Sequence, residues 1–345
     1  MRPGPCLKSF KISFNIQVNK RSRDMSSSVN KLAKGRPRIA GLLIDVSGTL
    51  HVGKTTTPGA VDAFHKLQES SIPFRLCSNT SKESTTSLVS RLDQLGFKGL
   101  SEERDSEEGI AQAQEKRREE QKPRLVWTSI GAVSKLIEEL GLKRPFLLLS
   151  DSARQEVLQG STAQGDLQEG KTQYDSVVVG LAPSVFDHSH LNTAFRVLKR
   201  ELPESAHPSN NSATPKQEIP LIATHKAKYI QTEDGLSLGP GPFVTALENA
   251  SGITARVVGK PTKDFFEMVI NDFTDGEMPT PDGKIVVIGD DVEADLGGGA
   301  VELGLWRVLV KTGKYRAGDE SREGVIPPDE VFETFADFVE SLVQG

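Results

Sequence analysis

The stretch Ile39-Ala40-Gly41-Leu42-Leu43-Ile44-Asp45-Val46-Ser47-Gly48-Thr49 is a nearly continuous apolar run closed by an acid and a small polar turn. A run without polar alternation is the mark of a strand covered on both faces, which is the habit of parallel sheets. Pro58 then opens a helical pattern with Val61, Phe64 and Leu67 on one side. Ile72–Cys77 is the next apolar run, ending at Ser78-Asn79-Thr80, and Leu88, Leu92 and Leu95 follow at helical spacing with Gly96 as the stop. Strand, helix, strand, helix predicts a doubly wound, mainly parallel α/β sheet.

The rhythm returns near the C-terminus. Ala255–Val258 runs into Gly259-Lys260-Pro261, Lys284–Ile288 into Gly289-Asp290-Asp291, and Arg307–Val310 into Lys311-Thr312-Gly313. Between the two halves, Pro145–Leu149, Ser176–Gly180 and Pro220–Ala223 read as further strands, with helices over Val133–Leu140 and Leu191–Leu198. The expected organisation is a basic extension over 1–37, a discontinuous core over 38–99 and 238–345, and an inserted α/β unit over 100–237. Within the insertion, Glu102–Glu120, Gln159–Gln173 and Glu201–Glu218 are too polar to bury much surface and are expected to be exposed or disordered.

Charge and composition narrow the function. The chain of 345 residues carries a net charge of −5, but ten basic side chains and one acid fall in the first 38 residues, which leaves −14 for the rest. A body this acidic repels polyanions and suits a protein that concentrates a divalent cation, so nucleic acid is not an expected partner. No apolar run is long enough for a spanning helix, so no membrane partner is expected either. Two cysteines, Cys6 and Cys77, give no disulfide framework and no metal spacing, which fits a reducing, cytoplasmic location. The basic, Ser-rich start is expected to be a disordered tail, or an upstream start with Met25 as the true initiator, and a mitochondrial presequence is the alternative.

Four polar clusters each follow an expected strand, and in open α/β sheets ligands bind beyond the carboxyl ends of strands. Asp45 can offer a carboxylate nucleophile. Ser78 and Asn79, at the start of a helix, can cradle an anion. Lys260 can neutralise both a phosphate and the carboxylate that must approach it. Asp290, Asp291 and Asp295 suit Mg²⁺, a hard cation with oxygen ligands. Taken singly, each has a plain alternative: a strand-end turn, an N-cap, a solvated lysine, an acidic loop. Their order, each behind a strand, is the specific signal. No GxGxxG follows the first strand, and Gly297-Gly298-Gly299 stands in the wrong place for a dinucleotide site.

With these residues in order, the chain resembles the haloacid dehalogenase-like phosphatase superfamily, and the long insertion resembles the α/β cap of its class IIA members. The resemblance covers about 38–345. Asp45-Val46-Ser47-Gly48-Thr49-Leu50-His51, Asp234–Phe243 and Leu309–Arg316 look like one subgroup of it. The resemblance implies a Mg²⁺-dependent hydrolase of small phosphorylated compounds. Asp45 is then nucleophile and metal ligand, with the Ser47 carbonyl and Asp290 as further ligands and Asp291 or Asp295 in support. Ser78 and Asn79, together with the Ser47 region, hold the phosphoryl group, and Lys260 balances charge. Caps of this size also mediate oligomers, which allows for a homodimer.

One position departs from the general pattern. Ser47 stands where most phosphatases of the superfamily carry a second Asp that protonates the leaving group. Loss of general acid–base help costs about 10²–10⁴-fold. Substrates with labile phosphoryl bonds, such as pyrophosphate or phosphoramidates, are therefore expected to outrun ordinary esters, and a weakly active, ligand-binding pseudo-phosphatase is the alternative. His51, Asp291 and His225 are the candidates to supply the missing acid, and Thr224, His225 and Lys226 are candidates for substrate contact.

Overall fold

The computed structural model describes residues 35–100, 124–160, 174–202, 218–232, 235–273 and 282–343. The basic extension to residue 34 and almost all of the three polar insertions lie outside these residues. In chain order the strands are β1 (Ile39–Asp45), β2 (His51–Val52), β3 (Thr55–Thr56), β4 (Phe74–Ser78), β5 (Val126–Thr128), β6 (Pro145–Leu148) and β7 (Ser176–Val179). They continue with β8 (Leu221–Ala223), β9 (Tyr229–Thr232), β10 (Gly235–Leu238), β11 (Arg256–Val257), β12 (Lys284–Gly289), β13 (Trp306–Val310) and β14 (Glu330–Phe332).

Six of them form one parallel sheet in the order β14-β13-β12-β1-β4-β5. Chain order runs outward in both directions from the β1–β12 pair, which makes that pair the switch point of a doubly wound sheet. Connections leave its two strands toward opposite sides there, and the crevice beyond their carboxyl ends is where such folds take ligands. Side chains alternate across β1 as a pleated strand requires. Leu42 and Ile44 pack with Phe64, Leu88 and Phe338 on one face, while Leu43 packs with Ile130, Phe265 and Leu296 on the other. All of these are buried, so the strand has no polar side to show, as its composition implies.

A second, four-stranded parallel sheet has the order β11-β8-β7-β6. Pro37–Gly345 forms one compact unit that contains both sheets. Sheet membership differs from expectation at two strands. Val126–Thr128, inside the expected insertion, pairs with β4 in the six-stranded sheet. Arg256–Val257, expected in the core, pairs with β8 in the four-stranded sheet. Three residues and two residues respectively are too short to show a period, and each lies beside a segment whose character dominates the pattern. No helix of the described residues is long and apolar enough to cross a membrane.

Candidate active site

Asp45 is the last residue of β1, and Asp290 follows the last residue of β12. Because Ile44 is in register with Ile288, the two acids leave the sheet side by side at the switch point. Parallel pairing alone therefore brings together side chains 245 positions apart. Both are buried. Thr49 donates to Asp45 Oδ2 at 3.1 Å. Lys260 Nζ donates to Asp45 Oδ1 and, at 2.8 Å, to Asp295 Oδ1.

Lys260 is 2% exposed and comes from the loop that precedes the helix Lys263–Ile270. Thr262 caps that helix by accepting from the Phe265 amide. Asn79 grips the lysine's own backbone. Its Oδ1 accepts from the Lys260 amide and its Nδ2 donates to the Lys260 carbonyl, each at 2.8 Å. Asn79, expected to hold phosphate, thus spends its amide chiefly on positioning Lys260. At the far end of the helix the buried Arg75 of β4 donates to Asp272 at 2.8 Å and stacks on Phe273 at 4.3 Å. Both ends of the lysine-bearing segment are therefore tied to β4 or to the residue directly after it.

Asp45, Asp290 and Asp295 offer oxygens within 4.8 Å of one another, a cluster in which three carboxylates could share one ion. Asp290 Oδ2 accepts from the Lys314 amide at 2.6 Å, whereas Asp290 Oδ1 is buried with no hydrogen-bond partner. An orphaned buried carboxylate oxygen is costly unless something cationic meets it. The backbone is shaped around this carboxyl as well. A Cβ at Gly48 or Gly313 would lie 2.0 or 2.1 Å from Asp290 Oδ2, and both glycines have positive φ. The donor set is all hard oxygen, which fits Mg²⁺.

The carboxyl pKa values carry the same message. Burial, then the charge of Asp295, pushes Asp45 up to about 6 despite Lys260. Burial, then Asp295 and Asp45, pushes Asp290 well up. Asp295 is held low: burial works against its charged form, but Lys260 and then Lys314 outweigh it. For Lys260, burial is again overcome by Asp295 and Asp45, and the ammonium is held more firmly than usual. Three carboxylates crowd around the buried Lys260 and the partly buried Lys314, two of them still pushed up, and a divalent cation is what would settle them. Asp291, in contrast, stands apart from the cluster. Its Oδ1 accepts from the Glu293 and Ala294 amides, and its Oδ2 lies 3.6 Å from Lys314 Nζ.

A cavity of about 550 Å³ opens above these groups, bordered among others by Ser47, Ser78, Ser81, His225 and Lys314. Ser78 Oγ accepts from the Thr80 amide at 3.1 Å, and its proton finds no acceptor among the described residues. It is a ready donor to an anion. Ser47 is exposed, in the turn where the Gly48 amide donates to the His51 carbonyl at 2.7 Å. Lys314 and Ser81 were not singled out from sequence. Lys314 lies in the run after β13 whose position behind a strand was the available signal.

The expected replacements for the missing acid do not serve. His51 Nδ1 donates to the Gly53 carbonyl at 3.0 Å and its Nε2 accepts from Arg91 at 2.9 Å. Burial, then Arg91, pulls it down to about 4. His225 is pulled down to about 3 by burial, then by Lys314 and Lys260. Both are neutral near pH 7 and carry no imidazolium proton, while both oxygens of Asp291 face partners of their own. Of the three residues considered for substrate contact, His225 borders the cavity, but Thr224 and Lys226 do not. Lys226 instead pairs with Glu248 at 2.6 Å.

Lys260→Met tests the charge balance directly. It leaves Asp45 and Asp295 facing each other unpaired, so we expect a loss of about 3 kcal/mol in stability. The loss is greatest at pH 8 and shrinks toward pH 5, because protonating the carboxyls relieves the repulsion. Denaturant unfolding at the two pH values measures it.

A haloacid dehalogenase-like hydrolase model matches residues 42–160, and a second HAD-hydrolase-like model matches 257–338. The chain belongs to the haloacid dehalogenase-like hydrolase family. It is 37% identical over 306 residues to human haloacid dehalogenase-like hydrolase domain-containing protein 2, covering 89% of this chain and 96% of the relative. It is 31% identical over 310 residues to human phospholysine phosphohistidine inorganic pyrophosphate phosphatase, covering 89% and 95%. Its fold matches that of glycerol phosphate phosphatase from Mycobacterium tuberculosis in complex with magnesium, with TM-score 0.64, 23% identity and coverage of 89% and 79%. The family places the second sheet of this chain, with its helices, in the role of a cap over the catalytic sheet.

Proposed function

We propose that this haloacid dehalogenase-like hydrolase is a Mg²⁺-dependent phosphatase that works through an aspartyl-phosphate on Asp45 and favours labile phosphoryl bonds. The observation that supports it most is the meeting of Asp45, Asp290, Asp295 and Lys260 at the switch point, with one carboxylate oxygen unpartnered. Asp45, the Ser47 carbonyl and Asp290 would hold the ion, with Asp295 close by and Asp291 further out. Bound there, Mg²⁺ supplies positive charge against the phosphoryl oxygens and the carboxylates.

The remaining steps belong to the chain. Lys260 keeps Asp45 anionic and screens it from the incoming phosphate, and Thr49 orients its second oxygen. Ser78 donates to the phosphoryl group. Asp45 attacks phosphorus as the bond to the leaving group breaks, and the bonding electrons depart with that group. Water then attacks the aspartyl-phosphate, which releases phosphate and restores the carboxylate.

With Ser47 in place of an acid, and with His51 and His225 neutral, an alkoxide leaves unprotonated and slowly. A phosphate or a protonated amine leaves without that help. Two relatives carry compatible names, one of them a pyrophosphate, phospholysine and phosphohistidine phosphatase. The same deficit supports the second reading, a weak pseudo-phosphatase that binds a phosphorylated ligand. Strand membership supports a cap running from about residue 129 to 257 as against the expected 100–237.

The test is a panel with Mg²⁺ and with EDTA, comprising pyrophosphate, phosphoramidate, acetyl phosphate and several sugar phosphates. We expect EDTA to abolish turnover and the labile compounds to exceed the sugar phosphates by at least about 10²-fold in kcat/KM. Sugar phosphates at the head of the panel overturn the leaving-group argument. Silence throughout, with ligand binding retained, selects the pseudo-phosphatase.

A further inference from the structure

Ser81 is buried and borders the same cavity as Asp45, three residues beyond Ser78. Its hydrogen bonds can be counted out. The Leu181 amide donates to Ser81 Oγ at 2.8 Å. His225 Nε2 lies 3.4 Å from the same oxygen, and the Ala227 amide donates to His225 Nδ1 at 3.3 Å. A ring nitrogen that accepts carries no proton, so the proton of the neutral imidazole sits on Nε2 and is donated to Ser81. Both lone pairs of the hydroxyl are then occupied. Its own proton has no acceptor among the described residues, and the residue borders the cavity. Ser81 is a donor held in one orientation by two groups, one of them, His225, itself fixed by the Ala227 amide.

The topology says what that proton can reach. In an in-line displacement the leaving atom departs on the side opposite the attacking one. Asp45 attacks from the edge of the six-stranded sheet. Leu181 and His225 follow β7 and β8, the two central strands of the other sheet, and their loops border the cavity from that side. Ser81, three residues past β4 and pinned by both, lies where the loops of the two sheets meet, on the path of a leaving portion that departs toward the second sheet. The charges around the cavity favour an oxygen anion over an ammonium. Lys54 and Lys82 border it, and the acid among its lining residues outside the Asp45 cluster, Glu83, is tied to Arg91 at 2.5 Å.

We propose that Ser81, positioned by His225, binds an anionic oxygen on the leaving portion of the substrate, so that the enzyme selects phosphoanhydride-type leaving groups over amines. The proposal rests on the phosphatase reading of the site and narrows it. Inorganic pyrophosphate and phosphoramidate are the probes, since the first leaves as an oxyanion and the second as ammonia.

Ser81→Ala is expected to lower the ratio of kcat/KM for pyrophosphate over phosphoramidate by at least about tenfold, the effect of removing one hydrogen bond to a charged group. Ser81→Thr keeps the hydroxyl and holds the ratio within about threefold. His225→Phe lowers the ratio in the parent and leaves it unmoved in the Ser81→Ala background, a non-additivity that a merely structural histidine does not produce. If Ser81→Ala does not fold, Ser81→Cys, similar in size but a poor donor, carries the same prediction.

An unchanged ratio overturns the proposal, whatever happens to the absolute rates. Calorimetry separates its fate from that of the phosphatase reading. Imidodiphosphate affinity should fall at least about tenfold in Ser81→Ala while orthophosphate affinity holds. That split in a protein with no turnover retains Ser81 and removes the phosphatase; turnover with an unchanged ratio does the reverse.

Discussion

Asp45→Asn should cut turnover of every substrate by about 10⁴-fold or more, as loss of a nucleophile does in enzymes with a covalent intermediate. The argument is chemical as well as positional. An amide oxygen is a poor nucleophile toward phosphorus, yet it can still accept from Lys260, and the Thr49 hydroxyl can turn to meet the amide nitrogen. The buried network therefore survives while its reactive atom is lost. Stability should move the other way. Burial and Asp295 push the Asp45 carboxyl up to about 6 from 3.8. A carboxyl raised in the folded state opposes folding once pH exceeds its unfolded value, and does so fully above the folded value. In metal-free protein the variant should thus match or exceed the parent in stability at pH 8, with no gain below pH 4. Added Mg²⁺ should stabilise the parent more than the variant. Kinetics together with thermal melts at both pH values, with and without Mg²⁺, measure all of this. Residual turnover above a few per cent would place the nucleophile elsewhere.

This prediction was open to the sequence because the chemistry sits at strand ends. A fully apolar strand that stops at Asp45, and another that stops at Asp290, specify their own neighbours once the sheet is parallel, since register puts Ile44 against Ile288. Lys260 could be placed for the same reason, as a polar break between a strand and a helix. What stayed hidden was contact between side chains. The carboxylates at 290, 291 and 295 look equivalent in a string, but Asp295 turns toward Lys260 while Asp291 folds back on its own loop. Asn79 read as an anion ligand because residues 78–80 are all polar; that it clasps Lys260 from 181 positions away is a tertiary fact. Ser81 carried no signal in the sequence, since its anchors at Leu181 and His225 follow strands of the other sheet. The two misallocated strands failed for want of length: two or three residues cannot carry a period, and only pairing decides which sheet they join.

Ser47→Asp tests the remaining half of the mechanism, and it should raise activity. Ser47 lies two positions after Asp45, exposed, and borders the cavity. Its turn is fixed by backbone and side-chain bonds that the substitution does not touch: the Gly48 amide to the His51 carbonyl, and the Thr312 hydroxyl to the Gly48 carbonyl at 2.6 Å. An aspartic acid here would offer the proton that neither neutral histidine can supply. General acid help is worth about 10²–10⁴-fold, and it is worth most where the leaving group is most basic. Sugar phosphates should therefore gain at least about 10²-fold in kcat/KM, whereas pyrophosphate, whose leaving group needs no proton, should change by less than about tenfold. The gain for esters should fade as pH rises, because the new residue acts in its protonated form and the carboxylates beside it favour that form by repulsion. Side-chain exposure makes the cost in stability small, within about 0.5 kcal/mol. Equal gains on both substrates would show that the new carboxyl helps binding or metal retention and not departure of the leaving group. No gain on esters would mean that protonation is not what limits them, and the account of why this site favours labile phosphoryl bonds would fall with it.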